Sequence, residues 1–270
     1  MAATSQRRFG LGWVPDRPDH RDLYYSAPLQ HLRQLPASVD LRPQITFAPY
    51  DQGRIGSCTA NAIAAAIQFD RAKTDKTPDF APSRLFIYYN ERAMEHSIPS
   101  DAGAMIRDGI KSVAKQGACK ETTWPYDDTP ADPNTQLFPS GAKASQKPSD
   151  AAYHEAEPYR ATAYFRVQQS LAQMRGCLAD GFPFIFGFSV YENLYDASGN
   201  PVSVLQMPQG SQLGGHAVLA VGYDDTKRHF TIRNSWGTGV QDHGYFYMPY
   251  SYATDPNLAD DLWTIRGMTH

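Results

Sequence analysis

Cysteine is scarce in this chain, with three in 270 residues. That excludes a disulfide framework, because Cys58, Cys119 and Cys177 can form at most one bridge. With Cys58 set aside, the choice is a Cys119–Cys177 bridge or two free, buried thiols. Also missing is any apolar run near the roughly 18 residues that cross a bilayer. Met1–Gly10 holds Arg7 and Arg8 with no apolar stretch behind them, a poor signal peptide as it stands, which leaves a cytoplasmic protein or one exported by a signal-independent route. Excess charge is absent too: 25 Lys and Arg face 28 Asp and Glu, a net −3. This removes the electrostatic case for nucleic acid and, with no apolar run, the case for a membrane partner. His20, His31, His96, His154, His229, His243 and His270 show no ligand-pair spacing with cysteines or carboxylates, so neither a metal nor another cofactor is implied. What remains is an ordinary soluble composition, long enough to bury a sizeable core as one large domain or two lobes.

Along the chain, residues 1–34 are polar and turn-rich, with few core signals beyond Phe9, Leu11, Trp13 and Val14. A compact domain starts near Leu35 and continues to 270. Helical spacing of apolar residues predicts helices over Thr59–Ala72, Ser83–Met94, Met105–Gln116 and Ser170–Asp180, the last two closed by Gly117 and Gly181. Asp127–Pro158 is rich in Pro, Ser, Asp and Ala and reads as an irregular surface insertion. Short aromatic and β-branched runs at Phe184–Val190, His216–Tyr223, His229–Asn234 and Gly244–Met248 read as strands. Helices first and strands second predict an α+β fold in two lobes, 35–126 mainly helical and 159–270 mainly β.

Three local patterns carry chemistry. Gln52-Gly-Arg-Ile-Gly-Ser-Cys58 feeds a helix whose positive end would lower the Cys58 pKa and favour the reactive thiolate. Gly214-Gly-His216-Ala-Val heads a buried strand, and its glycines allow close approach of a backbone. Asn234-Ser-Trp236-Gly follows the next strand. Alone, each has a bland reading: a core cysteine, a satisfied core histidine, a turn asparagine. Together they supply a nucleophile, a base and a group that orients the base. Gln52 adds a side-chain N–H for the oxyanion of acyl transfer, with the Cys58 backbone N–H as second donor.

These residues resemble the papain family of cysteine peptidases, its bacterial, xylellain-like branch more than its plant or lysosomal ones. The likeness runs from Val39-Asp-Leu-Arg42 through Trp124-Pro-Tyr126 to the motifs above. It implies a two-lobed fold with a central helix carrying Cys58, a β-barrel-like second lobe and a cleft between. It implies a Cys58–His216 ion pair, Asn234 holding His216, Gln52 in the oxyanion hole and Trp236 shielding the His216–Asn234 contact. It implies that Gly103 and Gly215 flank an extended polypeptide substrate, with Met105, Gly187 and Ala217 lining an apolar pocket. A zymogen is also implied, in which part of residues 1–34 around Trp13 and Val14 acts as an intramolecular inhibitor. Three positions depart from the family pattern: Ile55 replaces a cysteine, Thr59 an aromatic and Val240 a second tryptophan. The expected reaction is peptide-bond hydrolysis through a thioester. The alternatives are an acyltransferase or deamidase with the same triad, or a catalytically silent binding protein.

Overall fold

The computed structural model describes residues 9–74 and 80–269. Arg7, Arg8 and His270, considered above, lie outside them. After the short helix α1 (Leu29–Arg33), the central element is helix α2 (Cys58–Thr74). Its run of Ala60, Ala62, Ala64, Ala65 and Ala66 with Ile63, Ile67 and Phe69 is buried nearly all round. A helix apolar on every side belongs inside a core, and the alanines let neighbours approach closely. Helices α3 (Arg84–Met94) and α4 (Ile106–Gln116) pack on it. Ser83 caps α3 by accepting the Phe86 N–H, and Gly117 ends α4 at φ +80°.

An open sheet covers the other side of α2. Its strands are β1 (Tyr24–Tyr25), β2 (Ser38–Asp40), β3 (Ala161–Val167), β4 (Phe184–Tyr191), β5 (Gln212–Asp224), β6 (His229–Arg233), β7 (Tyr245–Pro249) and β8 (Ala259–Met268). The spatial order is β1-β3-β8-β4-β5-β6-β7, with β2 added beside β5. The β1–β3 pair is parallel and the others are antiparallel. The α+β architecture stands, and the barrel-like second lobe needs correction. With two residues in β1 and five in β7, no ladder joins the outer strands among the described residues, and the sheet stays open.

Two further departures are local. The stretch 127–158 is not irregular to its end, because Ser149 caps a helix, α5 (Asp150–Ala156), through the Ala152 N–H. Ala152 and Ala156 then pack with Phe86 and Cys119 in a small second core. The segment before Leu35 is also partly built into the fold: β1 pairs with β3, and Tyr25 and Ala27 are buried. All three cysteines are free, and Cys119 and Cys177 belong to different apolar clusters.

Candidate active site

Cys58 is the first residue of α2, so its sulfur lies at the positive end of the helix. The loop before it is tightly braced. Both oxygens of Asp101 take the Gly56 N–H at 2.9 Å, and the Tyr88 hydroxyl donates to the same carboxylate at 2.5 Å. The Tyr126 hydroxyl meets Ser57 Oγ at 2.5 Å and donates to the Gln52 carbonyl at 3.0 Å. Thr59 donates instead to the buried Glu91 at 2.7 Å. Sequence reasoning missed Asp101, whose only signal was its place just before Gly103.

His216 lies on β5 opposite Phe188 of β4. Its Nε2 meets Asn234 Oδ1 at 2.8 Å, and its Nδ1 is buried with no hydrogen-bond partner. The next residue, Ala217, directs its backbone N–H at the Cys58 sulfur. Trp236 stacks on the imidazole with ring centroids 4.7 Å apart and planes 26° apart. Gln52 is fully buried; its Oε1 accepts from Ser235 Oγ at 2.6 Å, and its Nε2 donates to the carbonyls of Ile55 at 2.9 Å and Gly10 at 3.1 Å. The fold therefore brings Cys58, His216, Asn234, Gln52 and Trp236 into one cluster from three separate stretches of chain.

Residues 9–14 lie across that cluster. Phe9 stacks on the outer face of Trp236 at 4.8 Å, nearly parallel at 9°. The Gly12 N–H points at the Cys58 sulfur. Trp13 forms a parallel bridge with Ala104: Gly12 O accepts the Ala104 N–H at 2.8 Å, and the Val14 N–H reaches Ala104 O at 3.0 Å. For this segment the paired residue is Ala104 rather than its neighbour Gly103. The Trp13 N–H reaches Gly215 O at 3.0 Å. Its indole lies so close to Gly187 that a Cβ there would stand 2.0 Å from the ring. Met105 is half-buried at the N-cap of α4, its N–H taken by Glu95 at 2.8 Å.

The indole N–H of Trp13 donates to Asp261 Oδ2 at 3.0 Å. Asp261 is a non-glycine residue at φ +57° beside a register break between β4 and β8. Such a conformation is uncommon outside glycine, and here it turns a carboxylate into the buried interior. Asp261 also takes the Asp16 N–H at 2.7 Å and Arg166 at 2.9 Å. Asp16 in turn accepts from the Arg107 N–H at 3.0 Å and Trp263 Nε1 at 2.9 Å. Burial, and then the neighbouring Asp261, lift the Asp16 carboxyl to about 7. Nothing in the local sequence marks Asp261, because its direction comes from the break in pairing.

Burial sets the electrostatics of the covered site. Burial pushes the Cys58 thiol up to about 12, against the pull of the Ala217 and Gly12 N–H groups. Burial likewise holds His216 down to about 4, against its bond to Asn234. The expected low thiol pKa is thus not met with residues 9–14 in place. Removing both charged forms from water outweighs a helix terminus worth about 0.3–1 kcal/mol. The covered site holds a neutral thiol and a neutral imidazole.

Comparison with known proteins gives the family. Residues 35–262 match the papain family cysteine protease model. An uncharacterized peptidase C1-like protein of Acanthamoeba polyphaga mimivirus is 35% identical over 292 residues, spanning 99% of this chain and 89% of that protein. A cathepsin B-like protein of Giardia intestinalis is 31% identical over 232 residues, spanning 79% of this chain and 69% of its own. Among solved structures, xylellain, a cysteine protease from Xylella fastidiosa, superposes with a TM-score of 0.91 at 53% identity, covering 97% of this chain and 98% of that one. By these matches the chain belongs to the papain family of cysteine proteases.

Proposed function

We propose that this peptidase cleaves peptide bonds through a Cys58 thioester, and that Phe9–Val14 holds the uncut chain inactive. The observation that carries the first part is the buried imidazole fixed at Nε2 by Asn234, its other nitrogen unpartnered, with the sulfur at the N–H of the adjoining residue. In the uncovered site the Cys58 proton passes to His216 Nδ1, and the thiolate attacks the scissile carbonyl. Gln52 Nε2 and the Cys58 N–H receive the oxyanion, and His216 gives its proton to the leaving amine. Neutral His216 then takes a proton from the water that opens the thioester. Polypeptides are the substrates.

Chain direction supports the inhibitory role. The acyl half of a substrate fills the pocket by Gly187 and Gly215, and the leaving half departs past Trp236, so substrate runs from pocket to Trp236. Residues 9–14 run the opposite way, with Phe9 on Trp236 and Trp13 in the pocket. No peptide bond of the segment then offers its leaving amine to His216. The Gly10 carbonyl meanwhile occupies the Gln52 donor. Trp13 donating to Asp261 further indicates a pocket that prefers a bulky apolar side chain carrying a hydrogen-bond donor.

Alkylation followed by mass measurement tests both parts. In the uncut chain at neutral pH, iodoacetamide is expected to leave Cys58 unmodified, because the residue has no exposed surface and its thiol is neutral. Once residues 1–16 are released by limited proteolysis, Cys58 is expected to react ahead of Cys119 and Cys177, even at mildly acidic pH. Equal labelling of Cys58 before and after release would remove the inhibitory role. No preference over the other two thiols after release would remove the ion pair. Gln52→Ala in the released form is expected to lower kcat by about 10²–10³-fold, the usual effect of one lost oxyanion donor. A loss confined to KM would mean that Gln52 serves only to hold the Gly10 and Ile55 carbonyls.

A further inference from the structure

The asparagine beside His216 is itself held by a residue that the triad reading leaves out. Asn234 Nδ2 donates to Gln241 Oε1 at 2.8 Å, and Gln241 Nε2 donates to the Val202 carbonyl at 3.1 Å. A backbone carbonyl can only accept. Val202 therefore fixes which end of the Gln241 amide faces it, and Gln241 fixes which end of Asn234 faces away. Asn234 Oδ1 is left to accept from His216, which places the imidazole proton on Nε2 and the lone pair on Nδ1. The Ser235 N–H also donates to Asn234 Oδ1 at 2.8 Å and agrees in sense.

The backbone holding this relay is rigid at both ends. Tyr247 N donates to Ser203 O at 2.8 Å and Leu205 N to Tyr247 O at 2.9 Å, so the Val202 segment lies alongside β7. Gln241 sits at φ +54° in a turn closed by Gly244 N to Val240 O at 2.9 Å, and the same turn takes the Asn234 N–H at Gly244 O, also 2.9 Å. We propose that Gln241 is a positioning residue, transmitting the polarity of the Val202 carbonyl through two amides to set the tautomer of His216. The proposal rests on the catalytic roles given above to His216 and Asn234.

The test uses the full-length chain labelled with ¹⁵N, where His216 is neutral at pH 7 and its tautomer is readable from imidazole nitrogen shifts. Wild type is expected to show only the Nε2–H form, with a slowly exchanging Hε2 proton. Gln241→Gly keeps the left-handed backbone without strain and removes the relay. Gln241→Asn tolerates the same backbone with an amide one methylene too short. Both are expected to speed Hε2 exchange by about tenfold, as befits a buried Asn234 donor left unpartnered, and to populate the Nδ1–H form. Unchanged tautomer and exchange in both variants, with wild-type amide spectra, would overturn the proposal. In the form released from residues 1–16, Gln241→Gly should lower kcat about tenfold at constant KM, and a change in KM alone counts against positioning. If instead His216→Ala retained peptidase activity while the tautomer effect persisted, the catalytic reading would fall and the relay would stand.

Discussion

Gly12→Ala is expected to switch on the uncut chain. A Cβ at position 12 would stand 1.8 Å from the Gly56 carbonyl oxygen and 2.4 Å from its carbon. Those are backbone atoms, and Gly56 is pinned by the Asp101 carboxylate, so the covering segment must lift rather than the loop. Overpacking of this kind costs about 1–3 kcal/mol. Spent on the covered form alone, that shifts the covered-to-open ratio roughly 5–150-fold toward the open form. Turnover of an unfolded protein by the uncut chain should rise by that factor, with an intact mass confirming that residues 9–14 are still attached. Release of residues 1–16 removes position 12 itself, so kcat/KM of the released form should be the same from either chain. A folded, uncut Gly12→Ala protein with wild-type turnover would show that residues 9–14 do not limit access to Cys58.

The second large effect concerns the nucleophile. Cys58→Ala in the released form is expected to lower kcat by at least about 10⁴-fold, since members of a unit such as this each carry most of its effect. His216→Ala should cost a comparable factor, and the double variant little more than either single one. Multiplying losses would mean that the two groups act independently, contrary to a proton moving between them. The fold should survive, because alanine suits the first turn of α2 and is small enough for the buried site. A circular dichroism melt with the wild-type transition shape would confirm this. Should Cys58→Ala instead unfold the chain, the cysteine would be structural first.

Much of this was legible in residue order. Helices α2, α3 and α4 fall within one or two residues of the apolar spacing, because each has a local cap or stop: the Cys58 loop, Ser83, Gly117. Strands β4 to β7 follow their aromatic and β-branched runs. Strands β3 and β8 were not visible. Ala161–Val167 carries little alternation, and Ala259–Met268 has two aspartates just after its first residue that look like a turn. They become strands only by pairing with each other, β3 also with β1 and β8 also with β4, a non-local gain that local propensity does not register. The helix α5 hid for the opposite reason, its Ser149 cap buried in loop-like composition.

The sequence by itself determined the helix with the cysteine at its positive end, the strand with the histidine, and the asparagine and tryptophan one turn later. These depend on spacing and on residue chemistry, which are local. Tertiary structure alone decided how Phe9–Val14 is laid over the site, with Phe9 on Trp236 and Trp13 against Gly187, that the Asp261 carboxylate faces Trp13, and that Gln241 reaches Asn234. It also decided the charge state of the site, because the energy of a buried thiol or imidazole depends on how much water its neighbours exclude. Those neighbours include Phe9–Val14, a segment distant in the chain from Cys58 and His216.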